Sequence, residues 1–123
     1  MAIDVAVTDA GVRIELTGMD RIWALRRVVE IARTELEAAT VMSRKAARAS
    51  LGWRLGGTAL PGAATLGNYT FRPAREGERQ FWAVYRDREV LVIDTTIARP
   101  RRVVVQHPDR VRLAREISAL VTR

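Results

Sequence analysis

Residues 64–106, ATLGNYTFRPAREGERQFWAVYRDREVLVIDTTIARPRRVVVQ, constrain this chain more than any other stretch. Short runs rich in Val, Ile, Thr and aromatic residues alternate with turn residues. Candidate strands fall near residues 66–72, 79–86, 89–96 and 101–106, with turns at Pro73 and Gly77, at Asp87 and at Pro100. The last run leads directly into a helical pattern. His107-Pro108-Asp109 suits a helix start, since proline is tolerated in a first turn and an acid favours the positive end of the helix dipole. Val111, Ala114, Ile117, Leu120 and Val121 form its apolar stripe, with Arg110, Arg112, Arg115 and Glu116 largely off it. The pattern predicts a β meander closed by one helix over roughly residues 108–121, with Ile117 and Leu120 buried.

The N-terminal segment predicts a hairpin. Ile3, Val5 and Val7 alternate with polar or small residues, Val12, Ile14 and Leu16 do the same, and Asp9-Ala10-Gly11 between them suits a short turn. Gly18 ends the pattern. Residues 20–50 carry two signals. Ile22, Leu25, Val29, Ala32, Leu36 and Ala39 fall near helical spacing after an Asp20 cap, which permits one long helix. The β-branched clusters Arg27-Val28-Val29-Glu30-Ile31 and Thr40-Val41 favour a short helix followed by two strands. Periodicity does not choose between them.

At 123 residues and 48% hydrophobic, the chain fits one domain with one core, over residues 1–123. Its start carries acids where a secretory signal has cations, and no apolar run approaches the roughly 20 residues of a membrane span, so a cytoplasmic protein is expected. With no cysteine, disulfides, thiolate catalysis and cysteine-bound metals are excluded, and the single His107 leaves no histidine cluster for a metal. No residue pair has the type and spacing of a catalytic triad. Neither enzymatic activity nor a cofactor is expected.

The net charge of +7 is almost wholly arginine, Lys45 being the only lysine. Arginine forks match phosphate and carboxylate, although basic residues spread along a chain also serve ordinary solvation. Residues 52–67, GWRLGGTALPGAATLG, form a glycine-rich connection. It contains Gly62-x-x-x-x-Gly67, but Asn68-Tyr69 stand where a phosphate loop needs Lys and Ser or Thr. Within the second candidate strand, Phe81, Ala83 and Tyr85 point one way and Trp82 and Val84 the other.

Several segments together resemble a known family. They are Gly18 to Arg27 followed by Val28-Val29-Glu30-Ile31, then Leu60-Pro61-Gly62, Gly67-Asn68-Tyr69-Thr70-Phe71-Arg72, Phe81-Trp82-Ala83-Val84 and the strand from Glu89 to Thr95. Their order is similar to that of the bacterial pleckstrin-homology-like domain family of actinobacterial type, over nearly the whole chain. The resemblance implies a mainly β fold with helices: a bent, partly open β-barrel of about seven strands capped by a C-terminal α-helix. It resolves residues 20–50 into a short helix around 18–25 and strands at 27–31 and 39–46. Eukaryotic relatives of that fold grip lipid head groups with cations in and after the first hairpin. Here the turn is Thr8-Asp9-Ala10-Gly11, with Arg13 the only nearby cation.

Two function classes follow. The favoured one is a non-catalytic interaction module that binds a protein partner, or itself as a homo-oligomer, through a strand edge or an aromatic face near Trp53, Trp82 and Tyr85. The other is a peripheral anion-binding module. In it Arg44, Lys45, Arg48 and Arg54, a loop-borne group without an acid among them, reach anionic lipid or nucleic-acid phosphates.

Overall fold

The computed structural model describes residues 2–17, 26–56, 59–60 and 64–122. Two open sheets make up the fold, and neither closes into a barrel. The first contains β1 (Ala2–Thr8), β2 (Gly11–Thr17) and β3 (Arg26–Ala32) in that order, all antiparallel. A 3-10 turn (Arg33–Glu35) then passes the chain to β4 (Leu36–Ser43), the first strand of the second sheet. After a short helix α1 (Arg44–Arg48) come β5 (Leu51–Gly56), β6 (Ala59–Leu60), β7 (Ala64–Phe71), β8 (Gln80–Val84), β9 (Glu89–Thr95) and β10 (Arg102–Val105). Helix α2 (Arg110–Val121) follows. The second sheet runs β4-β9-β10-β8-β7-β5, with β6 paired to β7 beside β5.

The expected mainly β architecture with a C-terminal helix is therefore observed, but the strands number ten among the described residues and divide between two sheets. Residues 26–32 and 36–43 are strands, in agreement with the β-branched clusters and against a single long helix. The helix expected around residues 18–25 lies outside the described residues. The chain turns helical at Arg44, where strand was expected to continue to residue 46. Ser43 explains the change, because its side chain accepts from the Ala46 N–H at 3.0 Å and caps an alanine-rich turn.

The meander expected over 64–106 is also modified. β10 lies between β8 and β9, antiparallel to β9 and parallel to β8, so the loop from β8 to β9 crosses its end. Gln106 secures that crossing: its side-chain oxygen accepts from the N–H groups of Tyr85, Arg86 and Asp87 at 2.6, 2.9 and 3.3 Å. The physical reason for the insertion is burial on both faces. Phe81, Ala83, Leu91, Ile93, Val103 and Val105 face one core with the first sheet and α2, while Trp82, Val84, Val90, Val92 and Val104 face a second core with Tyr69, Leu51 and Ala47.

Helix α2 lies against β4 and β9 and inserts Leu113, Ile117 and Leu120 into the first core. Ile117 and Leu120 are buried as expected. Val111 is 51% exposed, however, and Leu113 takes its place on the inner face. Leu113 shares a face with Ile117 and Leu120 at i, i+4 and i+7, whereas Val111, two residues earlier, lies well round the helix from it.

Gly11 begins β2 with a φ of 142°, and a Cβ there would lie 2.1 Å from the Ile31 carbonyl oxygen of β3. Two outcomes are expected in chemical denaturation. Leu120→Ala should lower stability by about 2–5 kcal/mol through the cavity it leaves. Gly11→Ala should destabilise by about 1 kcal/mol or more, because a side chain fits neither the dihedral nor the space; parent-like midpoints for either variant would contradict this packing.

Candidate functional site

The free edge of the second sheet is built around one buried amide. Gln80 is fully buried at the start of β8, and its Nε2 donates to the Ser50 and Thr70 carbonyls at 2.9 and 3.0 Å. Its Oε1 accepts from Trp82 Nε1 at 2.8 Å. Ser50, just past α1, also accepts from the Arg72 N–H at 2.8 Å through its carbonyl and from Arg102 Nη1 at 3.1 Å through its hydroxyl. Arg102 is in turn paired with Asp94 at 2.7 Å. The junction between α1 and β5 is thereby fixed to β7, β8 and β10.

From that junction β5 runs outward, paired only with β7 among the described strands. The pairing slips twice, between Leu51 and Arg54 and between Arg54 and Gly56. At the first slip the Thr70 hydroxyl accepts from the Trp53 N–H at 2.7 Å, taking the role of a ladder carbonyl. Gly52 permits the approach, since a Cβ there would come within 2.3 Å of Thr70 Oγ1. The bulge turns Trp53 into solvent, 82% exposed, with Leu55 beside it at 52%.

The cations expected to bind anions fall on two elements. Arg44, Lys45 and Arg48 belong to α1, whose inner residue Ala47 packs into the second core, and Arg54 belongs to β5. They are thus helix- and strand-borne, correcting the expected loop. Arg48 Nη1 donates to Thr65 Oγ1 at 2.8 Å. Arg48 and Arg54 both act on the buried Tyr69 phenol: burial raises its pKa above the ordinary 10.0, while Arg54 and then Arg48 draw it down. No ion pair joins any of the four cations to an acid among the described residues.

The expected aromatic face does not assemble. Trp53 is exposed, but Trp82 is fully buried and bonded to Gln80, because β8 is covered on both sides. Tyr85 lies beyond the end of β8 in the crossing loop, half-buried, with Arg86 5.1 Å from its ring centroid. Leu55 is the apolar partner that sequence reasoning passed over. Its signal was the alternation Trp53-Arg54-Leu55, which reads as strand inside the supposed glycine-rich connection.

Sequence reasoning also missed Arg27 and Asn68. Arg27 shares the inward face of β3 with the buried Val29 and Ile31, and its guanidinium crosses to the other sheet. There Nη2 donates to Asn68 Oδ1 at 3.1 Å, and the guanidinium carbon sits 4.3 Å from the Phe81 ring centroid. The available signal was a charge at an inward position of a period-2 pattern.

His107 Nδ1 accepts from the Asp109 N–H at 3.0 Å near the start of α2, and no group of three or more His, Cys, Asp or Glu that could hold a metal occurs among the described residues. Compared with models of known families, with curated proteins and with solved structures, the chain shows no match.

The convergence on Tyr69 is measurable. In a Tyr85→Phe background, ultraviolet titration of the remaining phenol should give a midpoint above 10.0, and Arg48→Gln with Arg54→Gln should raise it further by removing two favourable cations. A folded pKa above the unfolded one gives stability that is complete below the ordinary phenol range and is lost as pH rises through the folded value. A midpoint unmoved by the double substitution would separate the arginines from Tyr69.

Proposed function

We propose that this chain is a non-catalytic interaction module that docks on a partner protein through Trp53 and Leu55 on the outer strand β5. The carrying observation is the 82% exposure of Trp53, where Tyr69, Phe71, Phe81 and Trp82 are all buried. Indole side chains bring large contact area at small conformational cost and dominate the energetics of many interfaces. Leu55 extends the apolar centre, so the fitting partner offers an apolar pocket. The bulged, arginine-bearing edge disfavours simple strand addition and leaves the side chains as the contact. Kinship with the bacterial pleckstrin-homology-like family remains part of this proposal. It rests on the order of the sequence motifs and on an open β framework with a terminal helix packed against it.

A second reading has its own support. Residues 38–75 contain no acid while carrying Arg44, Lys45, Arg48, Arg54, Arg72 and Arg75, which suits an anionic surface such as lipid head groups or nucleic acid. No helix among the described residues is long and apolar enough to cross a membrane, so such contact would be made from the surface.

The two readings separate by experiment. A photo-crosslinking benzoylphenylalanine at position 53 should trap a partner protein, or a second copy of the chain, in cells. With that partner purified, Trp53→Ala should weaken binding by about thirtyfold, corresponding to a hot spot of about 2 kcal/mol. Undiminished affinity would refute docking through Trp53. Retention on anionic liposomes or heparin that falls with salt and disappears in the glutamine variant of Arg44, Lys45, Arg48 and Arg54 would favour the second reading instead.

A further inference from the structure

Arg27 differs in its surroundings from the ion-paired arginines of this fold. Among the described residues, Arg13, Arg75, Arg101, Arg102, Arg110 and Arg112 each lie within 4.0 Å of a carboxylate. Arg27 does not. Its partners are a neutral amide oxygen, that of Asn68, and the π face of Phe81, which is itself only 2% exposed. Half-burial at the seam between the sheets withdraws water from the guanidinium and lowers its pKa, with no charge among the described residues offsetting the loss.

A cation in this position is incompletely compensated. Burying charge is unfavourable unless a counter-charge or several hydrogen bonds replace the water. One amide acceptor occupies one of five guanidinium N–H groups, and the ring covers only a face. The Asn68 amide is left with its nitrogen free, for its oxygen is the atom that faces Arg27 and no described residue accepts from the nitrogen. Asn68 and Phe81 are cross-strand partners on β7 and β8, so the amide and the aromatic floor are fixed by one ladder, which the Arg27 guanidinium reaches from β3 of the other sheet. The result is a positively charged set of donors against an apolar floor at the edge of a core. Such a set is complementary to an oxyanion and to little else.

We infer that Arg27 and Asn68 form a binding site for a single oxyanion, a carboxylate or phosphate group, held over Phe81 at the seam between the two sheets. This site goes beyond the proposed docking patch and does not depend on it. Asn68 faces the first sheet, whereas Tyr69, the next residue, turns to the opposite face of β7 where Arg48 and Arg54 act on it. The ligand would present its oxygens to the remaining guanidinium N–H groups and to the Asn68 amide nitrogen together. That geometry distinguishes a forked guanidinium from a lysine ammonium.

The test uses the full chain labelled with nitrogen-15, observing the Arg27 Nε–H and the Asn68 side-chain amide. Sodium phosphate and sodium acetate are titrated separately against sodium chloride at equal ionic strength. Saturable shifts at both groups are expected with at least one of the two oxyanions. They should weaken by about tenfold or more in Arg27→Lys, which keeps charge but loses the fork, and remain unchanged in the Arg48→Gln, Arg54→Gln double variant. Saturation by phosphate alone identifies a tetrahedral ligand, and saturation by acetate alone a planar carboxylate. Shifts that follow ionic strength equally with chloride overturn the site. A second variant tests the missing counter-charge without any ligand: Asn68→Asp places a carboxylate at the present acceptor position. It should raise the melting temperature and abolish the saturable shifts. A melting temperature at or below that of the parent overturns the inference.

Discussion

The side-chain amide of Gln80 is the interaction on which the outer edge depends. It satisfies the carbonyls of Ser50 and Thr70 and the indole N–H of Trp82, three polar groups from different parts of the chain. A buried polar group left without a partner costs about 1–3 kcal/mol, a cost that would fall on the Trp82 indole N–H, since the Ser50 carbonyl also accepts from the Arg72 N–H. Because Ser50 ends the α1 segment and Thr70 supports the β5 bulge, one buried residue aligns both elements that carry the exposed apolar and basic side chains. The second core is therefore more than packing. It fixes, from inside, which way Arg48 and Trp53 face.

The sequence was legible where one face of an element meets the core and the other meets water. β1 and β2 show this, with Ile3, Val5 and Val7 packed against the core and Val12, Ile14 and Leu16 buried within it. It was less legible in β8 to β10, where both faces are covered and alternation no longer tells inside from outside. Trp53 and Trp82 illustrate the difference. Both lie in strands, yet one is 82% exposed on an edge and the other fully buried in the centre of the same sheet. Strand order is equally hidden from local pattern, for nothing in Arg102–Val105 alone says that it enters between β8 and β9. The run of valines marks a strand and not its neighbours. Helix α1 escaped because five residues hold little more than one turn and no repeat of an amphipathic period, although its cap at Ser43 and the alanines that follow were present to be read.

For the candidate site, the cations were readable as a group, but their placement was not. Arg48 and Arg54 meet at Tyr69 because α1 closes over the second core while β5 pairs with β7, a relation set by the topology of three elements. Leu55 lay in plain view in the alternation Trp53-Arg54-Leu55, and Arg27 as a departure from its period, an arginine among inward-facing β-branched neighbours. Departures of this kind mark positions where packing alone does not explain the residue.

Strand β7 consequently presents two electrostatic settings on opposite faces of adjacent residues. Beside Tyr69 the arginines are exposed, and their reach into solution is cut off at about 8 Å under physiological salt. Beside Asn68 the Arg27 guanidinium is half-buried over an aromatic ring, where water and mobile ions compensate it less fully. The first arrangement suits encounter with an extended acidic surface, since it attracts broadly and yields to salt. The second suits retention of one small group by directed hydrogen bonds. The same residue type thus acquires two different chemistries, and the difference comes from which side of a single strand each arginine approaches.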